Sequence, residues 1–440
     1  MVKFMINIFS NSVVLYSAID VLAKVVQFLF FPLLAQFLNI EQLAILSLYL
    51  IAVTASQPVL TLSTIGSFSL FYNKKLETKF DDSYEDRLFF SAGLISLIST
   101  SVFYCLFLLI PDSESSIEKY NFGYIFFIAV FAEFVVMLIF VKLRLGFHKY
   151  QYSALFMLYM LLKFILAFIF IQSLNDSKGY LYAISVSSLC VFLAYTYKNG
   201  CRIKLLDKTP LLKLLLYSKS MVPIGICSIL LVNIDKVIIG MQLSAKDIAS
   251  YNALFLLMSL IQVLVMAINK SYMPKLLKEY SLNGFDALNT LLPELKKYDF
   301  IILFLSVSTF CFSYFIYGAL YADKLDYNWR IAACFSITFF LNYKYVMLSN
   351  ALCIKAEFVK YRMIALIVPL IIIVPISYLL TLKYNSFGAA ISTSLGYIIC
   401  LFVIQVIVFL KVDKNYRFFD SLLNMMMTIV LLIFLVLFDA

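Results

Sequence analysis

Eight ionisable residues of this sequence lie inside long apolar stretches, where a charged group is costly. A charge at the centre of a membrane-embedded helix costs about 2.5–3.5 kcal/mol on insertion scales, so such residues usually face a protein interior or a water-filled cavity. Five of the eight are cationic and three are acidic, and their combined charge of +2 suits an anionic ligand. The eight residues are Asp20, Lys24, Glu133, Lys163, Asp235, Lys236, Arg330 and Lys344.

Four of these residues lie deep in their stretches and have structural as well as functional interpretations. At about 1.5 Å per residue from the ends of the stretches, Lys24, Glu133 and Lys163 fall near the membrane midplane. Asp20 is one helical turn before Lys24, so the two can neutralise each other on one helix face. Glu133 and Lys163 can form one ion pair between neighbouring helices. Alternatively, the lysines hold an anionic ligand and the acids hold an exchanged ion.

The other four residues lie closer to the membrane surfaces. Lys344 falls slightly to the inner side of the midplane and has no acid in its own stretch, which makes a purely structural role hard to assign. Asp235, Lys236 and Arg330 lie nearer the outer boundary, where long side chains reach the interface easily. Lys236 and Arg330 therefore also fit the role of interfacial anchors.

The composition of the chain is that of a membrane protein. Hydrophobic residues make up 63% of the 440 and charged residues only 14%, whereas soluble domains carry about 25% charged residues. The apolar runs are continuous and long enough for the roughly 20 residues that cross a bilayer, which predicts helices and not a barrel. We predict an all-α polytopic membrane protein with twelve transmembrane helices and a thirteenth apolar run as a further candidate. The predicted spans are 12–37, 42–72, 88–110, 121–142, 151–172, 179–198, 217–240, 248–272, 299–321, 329–352, 362–382 and 386–410, and the thirteenth run is 421–438.

The distribution of Lys and Arg predicts the orientation of the chain. With the N-terminus inside, 25 of the 35 Lys and Arg residues fall in inner segments and 5 in outer loops, so we expect a cytoplasmic N-terminus. Basic inner loops that face anionic membrane lipids also account for most of the net charge of +10 without a nucleic-acid partner. The single histidine, His148, and the scattered cysteines form no metal-ligand pattern, so we expect no metal and no other cofactor.

The loops predict how the helices are organised. The longest outer loop is only 111–119, which leaves no room for a catalytic or binding domain outside the membrane. A longer inner connection near residue 200 separates six spans from the rest. We therefore predict an N-terminal helical lobe, residues 1–200, and a C-terminal helical lobe, residues 201–440, around a central cavity, as in transporters built from repeats.

Three short segments resemble a known family. The stretch Met221–Tyr251 (MVPIGICSILLVNIDKVIIGMQLSAKDIASY) is similar to the seventh-helix region of polysaccharide exporters of the multidrug/oligosaccharidyl-lipid/polysaccharide flippase superfamily, the O-antigen flippase type. Asn385–Tyr397 (NSFGAAISTSLGY) resembles a Gly-Ala-Ala motif that opens a late helix in that family, and Gln36–Leu46 resembles its first outer turn, with Asn39 and Ala44 in place of the usual glycines. The matching positions of the first stretch are Pro223, Asp235, Lys236, Gly240 and Tyr251.

The resemblance implies a non-enzymatic flippase of the bacterial inner membrane. Such a protein moves an undecaprenyl-diphosphate-linked oligosaccharide, an O-antigen or capsule repeat unit, from the cytoplasmic to the periplasmic leaflet by alternating access. A polysaccharide polymerase machinery is an expected partner, and coupling to H⁺ or Na⁺ is a hypothesis. The candidate diphosphate ligands are Lys24, Lys163, Lys344, Arg330 and Lys236. The candidates for ion coupling or a structural pair are Asp20, Glu133 and Asp235.

Two other functions remain as alternatives. A multidrug exporter of the same superfamily would share the architecture, but its cationic substrates favour an acidic cavity. A polysaccharide polymerase or a lipid-linked glycosyltransferase would belong to a different class, and such enzymes usually carry a long outer loop with Arg, Asp or Glu. The outer loops of this chain are too short for that role.

Overall fold

The computed structural model describes residues 12–69, 84–108, 116–146, 148–200, 208–283, 287–321, 324–353 and 358–412. All regular elements in these ranges are helical, which confirms the predicted all-α fold. The helices are α1 (Ser12–Phe37), α2 (Ile40–Leu60), α3 (Tyr84–Leu108), α4 (Ser116–Leu145), α5 (Lys149–Leu174), α6 (Gly179–Asn199), α7 (Lys208–Gln242), α8 (Ala245–Met258), α9 (Leu260–Asn283), α10 (Ala287–Tyr321), α11 (Trp329–Ser349) and α12 (Val359–Ile407).

The described helices accommodate twelve membrane spans when two bends are taken into account. Helices α8 and α9 are bent by 40° at Ser259 and, taken together, are long and apolar enough for one span. Helix α12 is 49 residues long and is interrupted at Asn385, so its two halves form two spans. The thirteenth apolar run, 421–438, lies outside the described residues.

Helix α2 ends earlier than the sequence predicted. The predicted span 42–72 is not continuous, because residues 61–63 form a turn and helical structure resumes at Thr64. Leu62 and Ser63 have φ angles of 50°, a left-handed conformation that costs energy in residues other than glycine. The break follows Pro58, which has no N–H to donate within the helix.

Hydroxyl groups of helix α3 stabilise this break. Thr100 donates a hydrogen bond of 3.0 Å to the carbonyl oxygen of Leu60, and Ser96 donates one of 3.2 Å to that of Thr61. Ser96 also lies 2.6 Å from the hydroxyl of Thr64. Backbone carbonyls freed by a helix break must find partners in the protein because lipid offers none. The serines and threonines of α3 supply those partners.

A tight hairpin separates the two halves of α12. Asn385 adopts φ 52° and ψ −141° there, which ends the first half. At Gly388, three residues later, a Cβ atom would lie 2.0 Å from the carbonyl oxygen of Leu380. Only glycine therefore fits at this close approach of two backbone segments. Ala389 and Ala390, the next two residues, are fully buried.

The chain divides into two compact units. The N-terminal unit comprises residues 1–19 and 45–229, and the C-terminal unit comprises residues 20–44 and 230–440. Aromatic and aliphatic side chains of α3, α4, α5 and α6 form the core of the N-terminal unit. Helices α8, α11 and α12 supply much of the buried surface of the C-terminal unit. The division into lobes at residue 200 and the central cavity stay predictions.

Candidate functional site

A buried carboxylate lies at the centre of a polar cluster in the C-terminal unit. Asp235, on α7, is fully buried. Its Oδ2 atom accepts hydrogen bonds of 2.5 Å from the Tyr251 hydroxyl of α8 and 2.8 Å from Thr393 of α12, and its Oδ1 atom accepts one of 2.7 Å from the backbone N–H of Lys236. The three donors come from three helices, α7, α8 and α12, so the carboxylate links these helices. The same oxygens can coordinate a small cation if the hydroxyl groups rotate.

Lys236, the neighbour of Asp235, is also buried and only 3% exposed. Its Nζ atom donates a hydrogen bond of 3.0 Å to Asn233 and lies 3.2 Å from the ring centroid of Phe255. A cation over an aromatic face is stabilised by the charge distribution of the ring. The interpretation of Lys236 as a snorkelling anchor is therefore wrong, because its side chain packs inside the unit.

Glu133 and Lys163 form an enclosed ion pair in the N-terminal unit. Lys163 Nζ on α5 lies 2.9 Å from Glu133 Oε1 on α4, and both residues are more than 90% buried. The Tyr159 hydroxyl donates to the same carboxylate oxygen at 3.1 Å. The ring centroids of Tyr159 and Tyr180 lie 5.4 and 5.3 Å from the ammonium group. The expected ion pair is confirmed, and in this conformation the pair satisfies both charges within the unit.

Lys344 has an acidic partner that the sequence analysis did not identify. Its Nζ atom forms a salt bridge with Asp299 of α10, and the two side chains are 22% and 25% exposed. Aromatic rings of Phe340 and Tyr343 flank the ammonium group. Asp299 is the first residue of the predicted span 299–321, but it was not among the eight ionisable residues that the sequence analysis singled out. The pair is more open than that of Glu133 and Lys163, whose side chains are each 10% exposed.

Of the remaining candidate residues, Arg330 is less enclosed, and the side chains of Asp20 and Lys24 lie outside the part of the chain that the structure describes. Arg330 is partly buried, with its guanidinium carbon 5.6 Å from the Trp329 ring and 5.9 Å from the Phe387 ring. Helix α1 contains Asp20 and Lys24, but their side chains lie outside the described part of the chain. The expected neutralisation of Asp20 by Lys24 stays a prediction. With Asp299 added to the eight residues predicted from the sequence, their combined formal charge falls from +2 to +1.

The family of the chain follows from a sequence match that includes the residues around Glu133, Lys163 and Asp235. The sequence model of the polysaccharide biosynthesis protein family matches residues 9–278, more than half of the chain. The chain belongs to this family. The match also covers Tyr251 but ends before Asp299, Lys344 and Thr393. A search of the curated proteins finds no match.

Solved membrane transporters share the fold of this family member. The lipid II flippase MurJ in an inward closed conformation is 14% identical, with a TM-score of 0.63 over 96% of this chain and 98% of its own. An inward-facing multidrug resistance MATE transporter of the MOP superfamily is 15% identical, with a TM-score of 0.65 over 91% and 96%. A MOP superfamily transporter from Pyrococcus furiosus is 15% identical, with a TM-score of 0.60 over 95% and 96%. The chain therefore has the fold of these transporters.

Proposed function

We propose that the protein is a flippase that moves an undecaprenyl-diphosphate-linked oligosaccharide, an O-antigen or capsule repeat unit, from the cytoplasmic to the periplasmic leaflet. The observation that carries this proposal is the membership of the polysaccharide biosynthesis family by a chain with a transporter fold. In a pathway that builds sugars on a lipid at one face of the membrane, a transporter fold suits the translocation step. The protein then resides in the bacterial inner membrane with its N-terminus in the cytoplasm, and it hands the repeat unit to a polymerase machinery.

Among the candidate residues that the structure describes, Lys344 is the best placed for contact with the diphosphate. Its ion pair with Asp299 is one-fifth to one-quarter exposed, so a phosphate oxygen can reach the ammonium group and replace the carboxylate. Lys344 lies five residues before the end of α11 at Ser349, on the side of the membrane that we predict to be cytoplasmic. A lipid-linked substrate enters from that side. Lys24, Arg330, Lys236 and Lys163 are further candidates along the path.

Among the candidate residues that the structure describes, Asp235 is the best placed for ion coupling. A buried carboxylate whose donors come from α8 and α12 can bind H⁺ or Na⁺ and thereby change how tightly those helices are held together. Such a change is what alternating access requires from a coupling ion. Glu133 is a weaker candidate because Lys163 already neutralises it within the N-terminal unit. Asp20 remains a candidate on the sequence alone.

Transport in proteoliposomes tests the proposal directly. The purified full chain is reconstituted with an undecaprenyl-diphosphate-linked oligosaccharide that carries a labelled terminal sugar, and transfer is followed by the access of a membrane-impermeant reagent to the label. We expect transfer that depends on the protein and is accelerated by a Na⁺ or H⁺ gradient. A variant with Lys246→Ala, in the more exposed ion pair with Asp326, is the control for nonspecific effects of removing a charge.

The same assay separates the alternatives. Gradient-driven movement of a cationic dye without transfer of the lipid-linked sugar would support a multidrug exporter, a function that the shared MATE fold permits. Longer oligosaccharides on the lipid would indicate a polymerase. Either result, in the absence of transfer, would overturn the flippase proposal.

A further inference from the structure

Most of helix α1 belongs to the C-terminal unit, although the sequence on either side of it belongs to the N-terminal unit. Residues 20–44 cluster with the C-terminal unit, whereas residues 1–19 and 45–229 form the N-terminal unit. The segment 20–44 is therefore continuous at both ends with one unit and packed in the other. In alternating access, two parts of a transporter move relative to each other. Such a movement must bend this segment or separate it from one of the units.

A lysine from a distant part of the sequence holds the last turn of α1. Lys324 follows the end of α10, and its Nζ atom donates hydrogen bonds of 2.7 Å to the carbonyl oxygen of Ala35 and 3.0 Å to that of Gln36. The last carbonyl groups of a helix have no partner within it and carry the negative end of the helix dipole. Helix α1 has no basic residue of its own in its last turn. Lys324 therefore supplies the cation that this end of α1 lacks.

An aromatic contact between α1 and α10 lies close to this lysine in the sequence. The rings of Phe31 and Tyr321 meet edge to face, with 6.3 Å between their centroids, and both residues are only 2% exposed. The Tyr321 hydroxyl is buried and has no hydrogen-bond partner among the described residues. A buried hydroxyl without a partner is costly, and phenylalanine at this position would avoid the cost. The unpaired hydroxyl therefore indicates a second conformation, in which α1 is displaced and water reaches Tyr321.

The hydrogen bonds of Lys324 are of a kind that can break and form again. Lys324 lies in a turn and is exposed, and its two acceptors are neutral carbonyl oxygens. The nearby carboxylate of Asp326 does not compete for it, because Asp326 Oδ2 lies 2.8 Å from Lys246 Nζ in an ion pair of its own. Water can replace the carbonyl oxygens when α1 moves away, so the ammonium group of Lys324 stays solvated and is not left buried without a partner.

We propose that Lys324 and the contact between Phe31 and Tyr321 form a latch that holds the end of α1 on α10 and opens once in each transport cycle. With the orientation that the Lys and Arg distribution predicts, the latch lies at the periplasmic ends of both helices. When it opens, the last carbonyl groups of α1 and the Tyr321 hydroxyl meet water. The proposal rests on alternating-access transport by this chain, as the proposed function does, but not on the identity of the transported molecule.

Thiol labelling of the full chain in proteoliposomes tests the latch. Ala35 is only 2% exposed, so a cysteine introduced as Ala35→Cys reacts with a membrane-impermeant maleimide only while the latch is open. The chain without this substitution gives the background from the native cysteines. Lys324→Met should speed labelling about tenfold and Tyr321→Phe should slow it about tenfold, since a charged hydrogen bond or an unpaired buried hydroxyl corresponds to roughly that factor. Lys246→Met, in the exposed ion pair with Asp326, is the matched control and should leave the rate unchanged.

Thermal unfolding and transport of the same variants separate a latch from a permanent helix cap. Tyr321→Phe should raise the unfolding temperature and slow transport, because a more stable closed latch takes longer to open. Equal labelling of wild type, Lys324→Met and Tyr321→Phe would overturn the proposal. A lower unfolding temperature of Lys324→Met without a change in labelling would also overturn it, since Lys324 would then only cap α1. Labelling that follows the latch variants in a chain that does not transport the lipid-linked sugar would support the latch and contradict the flippase proposal, so the two fail separately.

Discussion

Thr393 lies 2.8 Å from the carboxylate of Asp235, although 158 residues separate the two in the sequence. Asp235 belongs to the segment 221–251 and Thr393 to the segment 385–397, the two longer stretches that resemble polysaccharide exporters. Tyr251, at the end of the first segment, donates to the same carboxylate oxygen. These two segments therefore meet in one polar cluster of the C-terminal unit, which gives the short motifs a physical basis.

The first prediction concerns the stability of this cluster. Tyr251→Phe removes one hydroxyl donor and leaves the buried carboxylate of Asp235 short of a hydrogen bond. The cost should be about 1–3 kcal/mol, the usual range for an unsatisfied buried polar group. The unfolding temperature of the protein in detergent should fall accordingly. Tyr378→Phe, at a residue that is 49% exposed, is the control and should leave the unfolding temperature unchanged. Equal unfolding temperatures for the two variants would show that the Tyr251 hydroxyl contributes nothing to stability.

The second prediction separates a structural from a functional role of Glu133 and Lys163. Lys163→Met alone leaves a buried carboxylate without its cation and should destabilise the protein by about 3–5 kcal/mol. Combining it with Glu133→Leu removes both charges and should restore most of that loss. Thermal unfolding and sugar-lipid transport are measured on the same samples. A stable double variant with wild-type transport would assign the pair to structure, whereas a stable but inactive one would assign it to transport.

The sequence predicted the helices well because the physical signal is local. A run of apolar residues long enough to cross the bilayer has no other low-energy structure than a helix. The early end of α2 was missed since hydropathy averages over a window and does not register a three-residue turn. The sequence does contain a signal for this break. A cluster of hydroxyl residues, which includes Thr61, Ser63 and Thr64, follows Pro58.

The partners of the site residues could be predicted only in part. Glu133 and Lys163 lie on consecutive spans, so their pairing was an obvious hypothesis. Asp299 and Lys344 also lie on consecutive spans, but Asp299, the first residue of its span, was not singled out as an ionisable residue inside an apolar stretch. Thr393 carried no signal of its own, since a neutral hydroxyl in an apolar stretch is common. Its role depends on how α12 packs against α7, which the sequence does not reveal.

The third prediction concerns the hairpin in α12. Gly388→Ala would place a Cβ atom 2.0 Å from the Leu380 carbonyl oxygen, so the two backbone segments would have to separate. We expect a marked loss of folded protein, measured by size-exclusion chromatography of the detergent extract. Gly318→Ala meets no atom within 4 Å and should be neutral or stabilising by up to about 1 kcal/mol, because alanine favours helix. A normal elution profile for Gly388→Ala would contradict the close approach.

The fourth prediction concerns topology. A reporter fused after Lys204 should be active in the cytoplasm, and one fused after Ser244, in the turn that separates α7 from α8, should be active in the periplasm. The reason is the excess of Lys and Arg in the inner segments. Reversed activities would overturn the predicted orientation. A reporter at Ala440 decides whether 421–438 crosses the membrane, since a periplasmic signal there requires a thirteenth span.

The last prediction concerns the role of Lys344. Lys344→Ala should reduce transport of the sugar-lipid about ten- to a hundredfold, since a charge-assisted contact to phosphate contributes about 1.5–3 kcal/mol. Lys344→Arg should recover part of the activity, because the charge is kept but the geometry differs. Both are measured as initial rates in proteoliposomes and as surface polysaccharide in cells, at matched protein levels.

The partner of Lys344 makes this prediction decisive. If the ion pair with Asp299 is only structural, Lys344→Ala fails because it leaves a carboxylate without its cation, and adding Asp299→Asn should restore transport. If Lys344 contacts the diphosphate, the double variant stays inactive. Asp299→Asn alone should then keep or raise the apparent affinity for the substrate, because the ammonium group no longer has to leave a carboxylate to meet a phosphate. Recovery in the double variant would remove Lys344 from the substrate path and leave the pair a structural role.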